Sequence, residues 1–365
     1  MAKQQKIVNT INYDSGKTTP LGTKPNDECF TSMQDIVNEL AHYGYDGKFK
    51  GKHIICPCDW DILENEDVYS LRVDFDENIH AHTNTVLSVS YDLFNDTNGK
   101  LQSVKVDKSG IDDFLRNRTK CNFLRTLIEN ADVWGIKSVS VSGYNPAIDK
   151  GKKFQDIDYS KYDICITNPP FSLYDEFITT IIKAKIDFIV LAPFLNRANP
   201  CVGLNLFLKN CHLGYGRKMR LNFYNPTNDN EYKTKLVACD WLTTFDDSQK
   251  AIDKTRLQTG IRYEDYKDEY IEMENMTMKD GTHPIRINNF RAIPDNYFGW
   301  MFCAIGVLDI LSNEEFEWYG TNFKGYFNSH RDISPFNHRA SNEMVSNTNT
   351  KGFHGAIIKR KEINL

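Results

Sequence analysis

An apolar run ends abruptly in an amide, two prolines and an aromatic: Asp163-Ile-Cys-Ile-Thr-Asn168-Pro169-Pro170-Phe171. Those residue types suit one kind of ligand. An Asn oxygen and exposed backbone carbonyls accept the two N–H bonds of a planar exocyclic amine, and the ring stacks on its face. Proline lacks an N–H and fixes φ, so the tandem pair cannot continue a central strand. The residue before each proline is also held extended, which makes the loop stiff. Asn-Pro-Pro also serves as a plain turn, but here it follows a strand-like Ile-Cys-Ile run and precedes Leu173-Tyr-Asp-Glu-Phe-Ile-Thr-Thr-Ile-Ile182, which reads as a helix. A rigid loop at the carboxyl end of a strand is where open α/β sheets bind ligands. The chemistry it implies is methyl transfer to an amino nitrogen.

The elements that must position this loop alternate. Strands are expected at Gly51–Cys58, Lys137–Ser142, Tyr162–Thr167 and Phe188–Ala192, with helices at Ser32–Tyr43, Ile111–Asp132 and Leu173–Lys183. In the first helix Ile36, Val37, Leu40 and Tyr43 share a face, and Thr31 or Ser32 is the N-cap. Repeated strand–helix–strand units predict an α/β fold: a mostly parallel, doubly wound, Rossmann-like sheet. Between residues 73 and 110 the pattern changes, and Asn95-Asp-Thr-Asn-Gly99 between two alternating runs predicts an inserted β-hairpin. Leu236–Phe245 reads as a later strand of the same sheet. The organisation expected is a flexible arm over 1–26, a catalytic domain over 27–245 and a recognition region over 246–365.

Composition narrows the class. With 40% hydrophobic and 25% charged residues, the 365-residue chain is an ordinary globular protein. Apolar runs such as Ile186-Asp-Phe-Ile-Val-Leu-Ala192 are too short to span a bilayer, and the amino terminus lacks a signal-peptide core; a cytoplasmic protein is expected. Nine cysteines, an odd number, fit free thiols in a reducing compartment. Cys56-Pro-Cys58 with His53, and His80-Ala-His82, lack finger-like spacing, so no metal is expected. A net charge of −5 argues against general polyanion affinity without excluding a basic face.

The chain resembles the EcoRI-type adenine-specific DNA methyltransferases. The residues that carry the likeness are Asp27-Glu-Cys-Phe-Thr31, Cys56-Pro-Cys-Asp59, Asn168-Pro-Pro-Phe171, Phe207-Leu-Lys-Asn-Cys-His-Leu-Gly-Tyr215, Asp240-Trp-Leu-Thr-Thr244 and Phe316-Glu-Trp-Tyr-Gly320. They keep the family's order over most of residues 27–320. The resemblance implies S-adenosylmethionine as cofactor and double-stranded DNA as substrate, with a restriction endonuclease as a companion that forms no stable complex. It places Cys58 and Asp59 in the turn that holds the cofactor's methionine end, and Phe30 and Thr31 in the segment that closes over it. Asn168 and the carbonyl of Pro169 would accept the amino protons of the base, Pro170 would stiffen the loop and Phe171 would stack. Two departures stand out. The first-strand turn has no Gly-x-Gly, and Lys137-Ser-Val-Ser-Val-Ser-Gly-Tyr-Asn145 lacks a terminal acid for the ribose. Asp156 is a candidate for the cofactor adenine, with a solvent-exposed loop acid as the alternative.

Such chemistry needs no covalent intermediate and no general base with a shifted pKa, because positioning and electrostatic stabilisation suffice. In a duplex the base must flip out, at a cost that stacking on Phe171, and on Tyr174 or Phe194, partly offsets. Arg217, Lys218 and Arg220 after Gly214-Tyr-Gly216 form the densest basic loop, and Arg331, His338 and Arg339 form a second candidate set for phosphate or base contact. The residues alone leave other readings open: RNA adenine, cytosine N4 or a glutamine amide as acceptor, or a catalytically silent nucleic-acid-binding relative.

Overall fold

The structure, a computed structural model, describes residues 30–59, 68–75, 87–93, 102–106, 121–146, 149–193, 205–206, 208, 210–216, 219–224, 235–245, 258–274, 276–278, 280–304, 307–308, 310–321 and 355–362. The expected arm over 1–26 and the hairpin turn at Asn95–Gly99 lie outside them. Two compact units are distinguished: Met1–Phe194 with Leu213–Phe245, and Leu195–His212 with Asp246–Leu365.

Four parallel strands form the centre of the first unit: β2 (His53–Cys56), β6 (Ser138–Ser142), β9 (Ile164–Thr167) and β10 (Asp187–Pro193). β6 lies on one side of β2, and β9 followed by β10 on the other. The period of two sends Ile54, Cys56, Val139, Val141, Ile164, Ile166, Ile189 and Leu191 to one face. There they meet α1 (Met33–Tyr45), α2 (Asn122–Glu129) and α3 (Ala131–Trp134). Ile55, Cys165, Phe188 and Val190 are buried on the opposite face, where α4 (Tyr174–Ala184) packs along β10. The near-continuous apolar strands are thus covered on both sides, as a parallel centre requires.

Antiparallel strands extend both edges. Beyond β10 come β13 (Lys235–Thr243), β12 (Met219–Tyr224) and β1 (Phe30–Thr31), with β11 (His212–Leu213) also on β13. β13 is the late strand expected over Leu236–Phe245, running against β10 with Trp241 opposite Leu191. Beyond β6 come β3 (Val68–Asp74), β4 (Leu87–Leu93) and β5 (Gln102–Val106). β4 and β5 pair antiparallel, with Tyr91 opposite Gln102. The antiparallel block is wider than the expected hairpin, because β3 bonds β6 on one side and β4 on the other. A short ribbon of β7 (Tyr144–Asn145) and β8 (Lys150–Gly151) follows β6.

Local chemistry accounts for the helices. Ser32 caps α1, its Oγ accepting from the Asp35 N–H at 3.2 Å and donating to the Asp35 carboxylate at 2.7 Å. Ile36, Leu40 and Tyr43 line the buried face. The expected helix over Ile111–Asp132 is described from Asn122, and it breaks at Asn130 before α3 ends on Gly135 in the left-handed region, φ 68°. The second unit has its own four-stranded sheet, ordered β14 (Ile285–Ile287), β15 (Trp300–Ala304), β17 (Gly355–Arg360) and β16 (Phe316–Thr321). Met301, Cys303 and Ile358 pack on one face, and Trp300, Phe302 and Ile357 on the other. β15 is therefore an internal strand of this core.

Candidate active site at the switch point of the sheet

Strand order reverses direction at β2, since β6 and β9 flank it, and the carboxyl ends of β2 and β9 are therefore the switch point at which open α/β sheets bind ligands. Asn168, Pro169, Pro170 and Phe171 leave β9 at that end. Pro170 sits at φ −62° and ψ 120°, and its carbonyl accepts from the Leu173 N–H at 3.0 Å, closing a 3₁₀ turn over Phe171–Leu173 that leads into α4. Asn168 is half-buried and Pro169 buried, while Phe171 is half-buried with its ring against the core below. The loop thus has a rigid backbone and an anchored ring.

Cys58 and Asp59 leave β2 alongside. The Thr167 hydroxyl donates to the Asp59 carboxylate, tying the end of β9 to the turn after β2. Burial, reinforced by the Asp59 carboxylate, pushes the Cys56 and Cys165 thiols well above their usual range. Neither thiol is a nucleophile at neutral pH. Thr31 joins this end indirectly: its carbonyl accepts from the Asn122 amide at 2.8 Å, beside Cys121, whose thiol caps α2 and acts electrostatically on Cys56. Phe30 is in the same short strand, opposite Tyr224. Asp156 is exposed on the turn Phe154–Asp156, which Gln155 fastens to the first turn of α4 by donating to Glu176 at 2.8 Å. The acid is therefore held near the loop and open to solvent.

One expectation is corrected. Tyr174 is 2% exposed and cannot stack on an incoming base. Its spacing from Phe177, Ile178 and Ile181 was the available signal, because i, i+3, i+4 and i+7 share one helix face. Phe194 lies outside the described residues. His53 stands at the other end of β2 from Cys58, with its Nδ1 2.6 Å from the Ser138 hydroxyl.

Two polar residues were missed by sequence reasoning. Thr167 gave only the signal of a hydroxyl ending an apolar strand. Glu39 lies on the apolar stripe of α1, 2% exposed, and accepts from Tyr43 Oη at 2.9 Å, the Tyr215 N–H at 2.8 Å and the Gly216 N–H at 2.7 Å. A Cβ at Gly214 would stand 2.3 Å from the Glu39 carboxylate and 2.5 Å from Trp241, so only glycine fits there. Tyr215 stacks on His42 with centroids 3.9 Å apart. Glu39 thus clamps the turn that enters the basic run. Arg220 is placed on β12, opposite Ala238. Arg217, Lys218, Arg331, His338 and Arg339 lie outside the described residues.

A mixed α/β sheet carrying Asn-Pro-Pro-Phe at its switch point is the frame of an amino-methyltransferase. Comparison with known proteins agrees. The chain matches the family described as adenine-specific methyltransferase EcoRI over residues 22–362. It is 25% identical over 311 residues to the Type II methyltransferase M.MpnI of Mycoplasma pneumoniae, covering 80% of this chain and 81% of that protein. It is 26% identical over 300 residues to the Type II methyltransferase M.EcoRI of Escherichia coli, covering 80% and 84%. No solved structure matches significantly. The chain belongs to the EcoRI family of adenine-specific methyltransferases, and as such it requires a methyl donor. No helix among the described residues is long and apolar enough to cross a membrane.

Proposed function

We propose that this enzyme methylates N6 of a flipped-out adenine in duplex DNA, with S-adenosylmethionine as donor, as the modification activity of a Type II system. The observation that carries the reading is the Asn168-Pro-Pro-Phe171 loop beside Asp59 on adjacent parallel strands, tied by Thr167. The donor set fits the cofactor. Asp59 offers a half-buried carboxylate for the methionine ammonium, with Cys58 next to it and Phe30 and Thr31 as the closing segment. Asp156, exposed near α4, would meet the adenosine end. When bound, S-adenosylmethionine supplies an electrophilic methyl group on a sulfonium.

The chain's part is to make a poor nucleophile competent. The adenine amino lone pair is delocalised into the ring. Acceptance of its two N–H bonds by Asn168 and by the Pro169 carbonyl favours a pyramidal nitrogen whose lone pair is aimed along one axis. As the nitrogen gains the methyl group it takes on positive charge, which the same two oxygens stabilise until one proton leaves to water. Phe171 holds the base by stacking and partly offsets the few kcal/mol of unstacking. Cys56 and Cys165 take no part, since both stay protonated. Arg217, Lys218 and Arg220, which follow the Glu39-clamped turn, would grip phosphates, while Arg331, His338 and Arg339 would contribute to site choice.

The test is expression in a host stripped of its own DNA methyltransferases, followed by single-molecule sequencing of the host DNA. N6-methyladenine at one recurrent sequence is expected. Methyl groups on cytosine, or only on RNA or protein, would overturn the reading.

A further inference from the structure

Thr167 immediately precedes Asn168 and is fully buried, at 0% exposure. Its neighbours in β9 are Ile164, Cys165 and Ile166, so packing alone would be served equally well by valine, which has the same shape. The hydroxyl needs a partner there, because a buried unbonded hydroxyl is costly. That partner is Oδ2 of Asp59, 108 residues away in sequence and three residues beyond the end of β2. A hydrogen bond to a carboxylate is about twice as strong as a neutral one. A carboxylate has two oxygens and roughly four acceptor positions, so a hydroxyl and a cation can share one such group.

We infer that Thr167 is a positioning residue that couples occupancy of the Asp59 turn to the geometry of the base-holding loop. This rests on the proposed role of Asp59 toward the cofactor. Any shift of the carboxylate as it engages the methionine ammonium pulls on the Thr167 hydroxyl. The displacement reaches Asn168 through a single peptide bond. Pro169 and Pro170 cannot absorb it easily, because their φ angles are fixed. The Leu173 N–H bonded to the Pro170 carbonyl then passes it to the start of α4. Filling one site thereby arranges the acceptors of the other, which is a coupling free energy between two ligands.

The experiment compares wild type, Thr167→Val and Thr167→Ser using S-adenosylhomocysteine as the probe. Calorimetry gives its affinity, and hydrogen exchange follows the amides of Asn168, Phe171, Ser172, Leu173 and Tyr174 with and without it. Wild type and Thr167→Ser are expected to gain protection in this segment on binding. Thr167→Val is expected to bind the probe within about threefold of wild type and to gain none, with kcat lowered roughly tenfold because the base acceptors are less well positioned. Thr167→Ala, which introduces no clash, takes the place of valine if thermal unfolding shows that Thr167→Val does not fold. Equal protection in the variant, or none in a wild type that binds the probe, would sink the coupling and leave the proposed activity standing. A wild type that does not bind the probe at all would instead remove the cofactor reading, and the coupling with it.

Discussion

The two ends of the parallel centre, only a few residues apart along β2 and β9, are built for opposite purposes. At the amino end, the His53 N–H donates to Asp163 at 2.8 Å, Lys52 approaches the same carboxylate at 3.6 Å, His53 meets Ser138, and Arg72 is paired with Asp74 at 2.8 Å. Charges there are matched by one another, within β3 for Arg72 and Asp74 and between neighbouring strands for Lys52 and Asp163. At the carboxyl end, one carboxylate, one amide, two prolines and an anchored ring converge, with the Thr167 hydroxyl as cross-tie. The difference teaches that a cluster of polar residues at a strand end is not evidence of a site. What distinguishes the proposed site is a stiff backbone holding acceptors with one sign of partial charge, which is what a donor-rich amine would require.

The contrast can be broken most severely at Asn168. Asn168→Ala is expected to lower kcat by about two orders of magnitude, as loss of one preorganised hydrogen bond does, with cofactor affinity little changed. Single-turnover kinetics and calorimetry on the same preparation check both halves, and near-normal turnover would remove Asn168 from the mechanism. Next in size is the clamp behind the site. Glu39→Ala leaves the half-buried Tyr215 N–H and the buried Gly216 N–H without their acceptor and should cost about 2 kcal/mol of stability, measured by urea unfolding. It should also weaken DNA binding more than cofactor binding if the turn serves the basic run. Neutralising Arg217 and Arg220 together is expected to weaken binding to every DNA sequence and to flatten the log–log salt dependence by about two. An unchanged slope would take these residues off the phosphates.

The amino end should respond in stability alone. Asp163→Asn is expected to cost about 1 kcal/mol and to leave kcat at the wild-type value, since surface-linked pairs contribute little. A loss of turnover there would erase the distinction between the two ends. The smallest effect concerns pH. Burial, then Arg72, lowers the His53 pKa below its ordinary value, so the folded state binds fewer protons than the unfolded one between the two pKa values. Stability from this group is therefore full above the unfolded pKa and declines as pH falls toward the folded one. His53→Gln should remove that slope from a stability–pH curve between about pH 6.5 and lower values; an unchanged curve would show that the imidazole is not its source.

By itself the sequence determined what depends on neighbours along the chain. Ile164–Thr167 followed by Asn-Pro-Pro had to be a strand ending in a stiff loop, because proline chemistry is local. Ser32 ahead of Ile36, Leu40 and Tyr43 set the start and buried face of α1 in the same way, and the alternation over Leu87–Val106 carried the pairing of β4 with β5. Tertiary structure decided what depends on partners far away. Thr167 meets Asp59 across 108 residues and Glu39 meets Gly216 across 177, and no local pattern encodes either distance. The antiparallel sense of β13 and the attachment of β3 to β6 were decided the same way, since a strand's own pattern is indifferent to the direction of its neighbour. The strand end and stiff turn that carry the proposed site were therefore legible in one short stretch of chain, whereas the groups that hold them in place became visible only when strands distant in sequence were laid side by side.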